Sequence, residues 1–196
     1  MTSPEALLIC GSPSVGSHSR EAVATAAECL AELGGTNRIW DLATRPLPIL
    51  DAARHGRGMH YADPAARELV ALADRADVLV LASPMYHGSF SGAMKNALDH
   101  LDTPHVQGKP VGVLAHGENL SATQVCDSLR VVVRALKGLA VPDQLVTVPT
   151  DFTSTHDGRR RLTSPAARAR LTAMSRQLIA LSSMSSAVGA FALHGN

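Results

Sequence analysis

The chain has little excess charge of either sign, no cysteine pair and no long apolar run. Each shortage removes a class of function. Eighteen Lys and Arg balance seventeen Asp and Glu, for a formal net charge of +1. So neutral a chain offers no basic field to nucleic acid or an anionic membrane, and no acidic surface of the kind an electron carrier uses. Cys10, Cys29 and Cys126 are far apart and odd in number. Without a Cys-x-x-Cys pair they form neither a disulfide framework nor a structural zinc site, and they read as buried free thiols. No apolar stretch approaches the roughly 18 residues of a membrane span. The opening Met1-Thr2-Ser3-Pro4-Glu5 lacks the basic head and apolar core of a signal peptide. These absences predict a cytoplasmic protein with no nucleic-acid and no membrane partner.

What remains is a core-forming chain. Of its 196 residues 45% are hydrophobic, which suits one domain spanning 1–196, with a core over about 5–181 and a tail over 182–196. Short apolar runs at 6–10, 78–82 and 111–115 read as strands buried on both faces. Segments 38–42 and 145–148 complete five strands. Between them Val23, Ala26 and Leu30, then Val125, Leu129 and Val133, recur at helical spacing. Asp63-Pro64 and Ser164-Pro165 are helix starts, and Ser91 caps a helix running to 101. Strands alternating with helices predict an α/β fold: a three-layer α/β/α sandwich around a five-stranded parallel sheet in the order 2-1-3-4-5. Ligands of such sheets lie beyond the strands' carboxyl ends. The loops that leave strands one, three and four there are 11–19, 83–91 and 116–121.

The first of these, Gly11-Ser12-Pro13-Ser14-Val15-Gly16-Ser17-His18-Ser19-Arg20, is rich in hydroxyls and opens a helix, which suits a phosphate. It is not a nucleotide triphosphate loop, because Ser17 and His18 stand where Lys and Ser/Thr are needed. Pro13 breaks the Gly-x-Gly-x-x-Gly fingerprint. Gly88-Ser89-Phe90-Ser91-Gly92 is no hydrolase elbow, since Phe90 replaces the nucleophile. A hydroxyl-rich loop without lysine suits a terminal monophosphate.

The second loop and its helix read Ser83-Pro84-Met85-Tyr86-His87-Gly88, then Ser91-Gly92-Ala93-Met94-Lys95-Asn96-Ala97-Leu98-Asp99. Together with the first loop this resembles the NAD(P)H-dependent FMN reductase family, and in particular its alkanesulfonate-linked branch. The resemblance covers roughly residues 5–150 and implies a flavodoxin-like fold. It implies an NAD(P)H:FMN oxidoreductase that passes hydride from nicotinamide to flavin N5 and supplies reduced FMN to a monooxygenase partner. The alternative is an FMN-bound reductase of quinones, azo compounds or metal oxyanions. The resemblance also implies a homodimer or homotetramer.

By position, Ser12, Ser17, His18 and Ser19 would hold the FMN phosphate. Pro84, Met85, Tyr86, His87 and Gly88 would line the ribityl chain and ring. His116, Gly117 and Asn119 would flank the ring's other end, with Tyr86 and His116 positioning ring or nicotinamide. Ser14 and His18 occupy places where that branch often has arginines, leaving Arg20 as the nearest permanent cation. Among large rings only Trp40, Tyr61 and Tyr86 are candidates to sandwich a flavin. Arg54, Arg57 and the 159–161 arginine run are candidates to select NADPH over NADH, although solvated charge explains each equally. The apolar Leu47-Pro48-Ile49-Leu50 within the 43–63 loop reads as a partner surface or active-site edge.

Overall fold

The structure, a computed structural model, describes residues 3–51, 53, 63–156 and 158–192. Strand β1 (Glu5–Cys10) leads into helix α1 (His18–Glu32), then β2 (Thr36–Asp41) and α2 (Pro64–Arg75). Strand β3 (Val78–Tyr86) turns into the short β4 (Ser89–Phe90), followed by α3 (Gly92–Asp99) and α4 (Thr103–Val106). Next come β5 (Pro110–His116), α5 (Thr123–Ala135), β6 (Leu139–Ala140) and β7 (Leu145–Thr147). A hairpin of β8 (Phe152–Ser154) and β9 (Arg160–Leu162) precedes the final α6 (Pro165–Ala192).

The central sheet runs β2-β1-β3-β5, all parallel, with β6 and β7 both pairing to β5 at the edge. This is the expected 2-1-3-4-5 order, with a hairpin strand inserted after the third strand and the fifth split in two. The strand side chains alternate between two cores. Leu7, Ile9, Leu81 and Val113 pack with Leu69, Met94 and Leu129 of α2, α3 and α5. Leu8, Cys10, Val80 and Leu114 pack with Leu30 of α1 and Leu171 and Met174 of α6. Helices therefore cover both faces, and the apolar runs 6–10, 78–82 and 111–115 of β1, β3 and β5 are buried.

Four local expectations change. Residues 83–91 are not an open loop: β3 continues through Pro84, whose register partner is His116, and folds back as a hairpin. The fifth strand ends at Thr147, not 148. The 182–196 tail is helical as far as Ala192, because α6 runs for 28 residues. Its small residues permit helix without marking one face. Finally, β8 and β9 form a hairpin where no strands were expected. Among the described residues no helix is long and apolar enough to cross a membrane.

Candidate functional site

Loop 11–17 is held by its own short polar side chains. Gly11 donates its N–H to the Ala82 carbonyl at 2.7 Å, tying the loop to β3. The buried Ser12 hydroxyl accepts from Ser14 N at 3.2 Å, and Ser17 caps α1 by accepting from Arg20 N at 3.2 Å. Ser19, the second residue of α1, is buried and its hydroxyl has no hydrogen-bond partner. It sits where the first helical N–H groups also lack intrahelical acceptors.

The second element is a tight hairpin. Its turn residues His87 and Gly88 have φ of 51° and 80°. Two successive positive φ values make the turn that matches the twist of paired strands. Gly88 takes this conformation freely; His87 is held in it at a cost of roughly 1 kcal/mol. Tyr86 stands 45% exposed at the hairpin's end. A chain of hydroxyls fixes the hairpin to the first loop. Ser83 accepts from Ser91 N at 2.9 Å, and Ser91 both donates to the Gly11 carbonyl and caps α3 through Met94 N. A β-carbon at Gly11 would lie 2.8 Å from that of Met94, so only glycine lets α3 approach.

The third loop meets both others. The His116 ring stacks on His18, centroids 4.2 Å apart and planes 25° apart. Phe152 of β8 packs edge-on against His18 at 4.6 Å and His116 at 5.6 Å. Thr147, fully buried, donates its hydroxyl proton to the Ala115 carbonyl at 3.2 Å. Toward His116 Nδ1, 3.1 Å away, that oxygen is left as acceptor. The imidazole proton therefore sits on Nδ1 and Nε2 is a bare lone pair. Burial, with the neighbouring His18 and Arg160, pushes His116 down to about 4. His18 is also lowered, by burial first and then by the Arg160 guanidinium, against a smaller pull from Glu118. Both rings are neutral at pH 7. Burial pushes Cys10 up to about 11 and Cys126 up to about 12. Neither thiol is a nucleophile.

The structure thus brings Ser12, Ser17, His18, Ser19 and His116 together through the His18–His116 stack, with Pro84 to Gly88 on the adjoining strand β3 and its turn, where Pro84 pairs with His116. Gly117 follows His116, and its N–H donates to the Thr147 carbonyl at 3.1 Å. Asn119 also caps the turn before α5, its Oδ1 accepting from Ser121 N at 2.9 Å. Trp40 is no ring-sandwiching candidate. It is fully buried, with the Arg45 guanidinium 3.9 Å over its ring. Arg20 is engaged by Asp41 at 3.3 Å. Tyr61, Arg54 and Arg57 lie outside the described residues.

Sequence reasoning missed Phe152, Thr147 and the role of Arg160. Arg160 donates to the Gly16 carbonyl at 2.9 Å, bridging 144 positions. The available signal was Asp157-Gly158 between Phe152-Thr153-Ser154 and Arg160-Arg161-Leu162, a hairpin cue.

Known proteins share the sequence pattern and the fold of this chain. Residues 4–153 match the family model described as NADPH-dependent FMN reductase. A Staphylococcus aureus protein named FMN-dependent NADPH-azoreductase is 37% identical over 152 residues, 78% of this chain and 81% of that one. Among solved structures, the Paracoccus denitrificans flavoenzyme NAD(P)H:(acceptor) oxidoreductase FerB superposes with a TM-score of 0.71 at 17% identity, covering 93% of this chain and 98% of the other. A flavodoxin, WrbA-like protein from Agrobacterium tumefaciens gives 0.59 at 17% identity, covering 91% and 98%. These two likenesses establish the flavodoxin-like fold.

Proposed function

Because the chain belongs to the NADPH-dependent FMN reductase family, we propose that loops 11–17, 84–90 and 116–119 hold FMN, and that NADPH is used there to reduce a small planar acceptor of azo or quinone type. The family makes the protein an NADPH-dependent, FMN-using oxidoreductase. The residues that hold the cofactor and the identity of the acceptor are our own reading.

The donor set fits the group. The observation that carries the reading is the Ser19 hydroxyl, buried without a partner at the head of α1 beside Ser12 and Ser17, whose hydroxyls shape the loop by accepting Ser14 N and Arg20 N. An oxyanion end of a ligand supplies the missing acceptor. At the other end the exposed Tyr86 and the polarisable Met85 suit a flat ring, and the hairpin turn presents backbone N–H groups to a polar ring edge. FMN, when bound, supplies two-electron redox chemistry. The chain's own residues bind and orient. Ser12, Ser17 and Ser19 serve the phosphate; Pro84 to Gly88 serve the ring; neutral His116 offers Nε2 as an acceptor, its proton kept on Nδ1 by Thr147.

The azoreductase relative favours flavin that stays bound over flavin released to a monooxygenase. The test is gel filtration followed by anaerobic assay. The expected result is a yellow protein that keeps FMN and bleaches an azo dye with NADPH. Colourless protein that oxidises NADPH only with excess free FMN would overturn retention and favour the monooxygenase-supplying role. Protein inert in both assays would overturn the reading.

The same reading includes a homodimer. Asn96 bonds Pro48 O at 2.9 Å and Leu50 N at 3.1 Å, and His100 Nε2 lies 3.0 Å from Pro48 O. These contacts pin the 47–50 segment while Ile49 stays 83% exposed. Such a fixed apolar display suits a partner chain. Light scattering is expected to give twice the chain mass, and I49E to lower it toward one.

A further inference from the structure

We propose that Arg160, delivered by the β8–β9 hairpin, is the guanidinium that grips a phosphate monoester at loop 11–17, the FMN phosphate in the reading above. The inference rests on that reading but concerns a residue no motif in the loop supplies.

The loop needs a cation and has none free. Arg20 is paired with Asp41 at 3.3 Å, and His18 is neutral. Arg160 reaches in from outside, with Nη1 2.9 Å from the Gly16 carbonyl. A guanidinium carries five N–H donors in a planar fork, and this bond uses one. Among the described residues no carboxylate pairs with Arg160, whereas the next residue, Arg161, faces Glu21 at 3.9 Å. An unpaired cation placed against a hydroxyl-rich loop and a helix N-terminus is suited to a dianion. Its field is felt by both stacked imidazoles, which it helps keep neutral.

The hairpin that carries it is anchored at three points. Phe152 packs on the His18–His116 stack, Leu162 packs against the core under α1, and Thr155 bonds Arg159 O through both N–H and hydroxyl. Register pairs Ser154 with Arg160, which holds the arginine on a braced strand rather than a free tail. The family match ends at residue 153, so β9 lies beyond it. Phosphate binding here is supplied from a segment outside the family's matched region, in place of arginines inside the loop.

Flavin-stripped protein titrated with FMN and with riboflavin, followed by flavin fluorescence, tests this. R160A is expected to raise the FMN Kd about tenfold or more at low salt while moving the riboflavin Kd less than about twofold. R160K should fall between, keeping charge but losing the fork. R161A, which removes the same charge one residue on, should leave both constants within about twofold. Unchanged FMN binding by R160A would overturn the proposal. So would a parallel loss for both flavins, which would make Arg160 a brace for the loop. An altered preference for NADPH over NADH at constant FMN affinity would reassign it to the nicotinamide's phosphate. Wild type that binds FMN no tighter than riboflavin would remove the phosphate grip alone. Wild type that binds neither would remove the functional reading as well.

Discussion

The two parts of the proposed FMN site, its ring end and its phosphate end, are built on opposite plans. The ring end is local: β3, a two-residue turn and β4 lie within 78–90, and their shape follows from Ser, Pro and Gly at short spacing. The phosphate end is assembled from afar. Arg160 reaches Gly16 of loop 11–17, while His18 just after the loop packs on His116 and Phe152, with Thr147 behind His116. A local hairpin carries its specification in a few residues, while a composite wall depends on the whole fold having formed. The comparison predicts that lesions at the ring end act on ring binding, and that lesions at the phosphate end spread through the stack.

The largest effect should come where the two ends are joined. G11V places a branched side chain where even a β-carbon meets Met94 at 2.8 Å and the Ala82 carbonyl at 3.0 Å. Overpacking of this kind costs about 3 kcal/mol. It also disturbs the Gly11 carbonyl that Ser91 bonds. Urea unfolding should show the loss, and FMN and riboflavin affinity should fall together. If only FMN binding fell, the ends would be independent and the junction misread. Next is T147V, which is close to isosteric. It removes the acceptor of the His116 Nδ1–H and the hydroxyl donor to the Ala115 carbonyl, and puts a buried methyl in their place. The expected cost is about 2 kcal/mol. By the comparison it should harm FMN binding more than riboflavin binding.

This contrast explains what the sequence revealed. The three strands that matter are continuous apolar runs, and their shortness and the Gly and Pro beside them mark 6–10, 78–82 and 111–115. Ser91 and Asp63 were legible as caps because capping is chemistry between neighbours three residues apart; both side chains accept the expected N–H. The motifs single out Ser12, Ser17 and Tyr86 for the same reason, and the structure places them on loop 11–17 and at the end of β3. Trp40 was misjudged because an aromatic ring looks alike as core or as ligand platform until burial is known. Arg160 reads as one solvated charge in a run of three, and only the hairpin shows which of the three turns inward. Asn119 was placed correctly at the third loop but serves as a cap, a role its spacing to Ser121 could have signalled.

Glycine replacements separate the ends at smaller cost. Gly88 and Gly16 both have positive φ, 80° and 66°. Alanine at either position should cost about 1 kcal/mol in backbone strain. At Gly88 the new methyl also meets Gln124 Oε1 at 3.2 Å, whereas at Gly16 it meets nothing within 4 Å. G88A should therefore destabilise slightly more than G16A in urea titrations. G88A should weaken FMN and riboflavin alike, and G16A should weaken FMN alone. The reverse pattern would exchange the roles of the two loops.

Acid supplies the gentlest probe, because the titrating pair belongs to one end only. His116 has a folded-state value of about 4 against about 6.5 when unfolded. Lowering the folded value means that the unfolded chain binds the extra proton more readily. Stability is then complete above pH 6.5 and drains away as pH falls toward 4. His18, lowered as well, adds in the same direction. The ring is partly solvated, so screening reduces the full linkage energy to about 1 kcal/mol. Other carboxylates also titrate near the bottom of that window, so the reading is a difference. Ligand-free wild type and H116N are melted from pH 7.5 to pH 4. The wild type should lose more Tm than the variant, with most of the divergence below pH 6. Parallel curves would falsify the neutral stacked pair. They would leave the phosphate end held by Phe152 and Arg160 alone, and the hairpin rather than the histidines would then be its organising element.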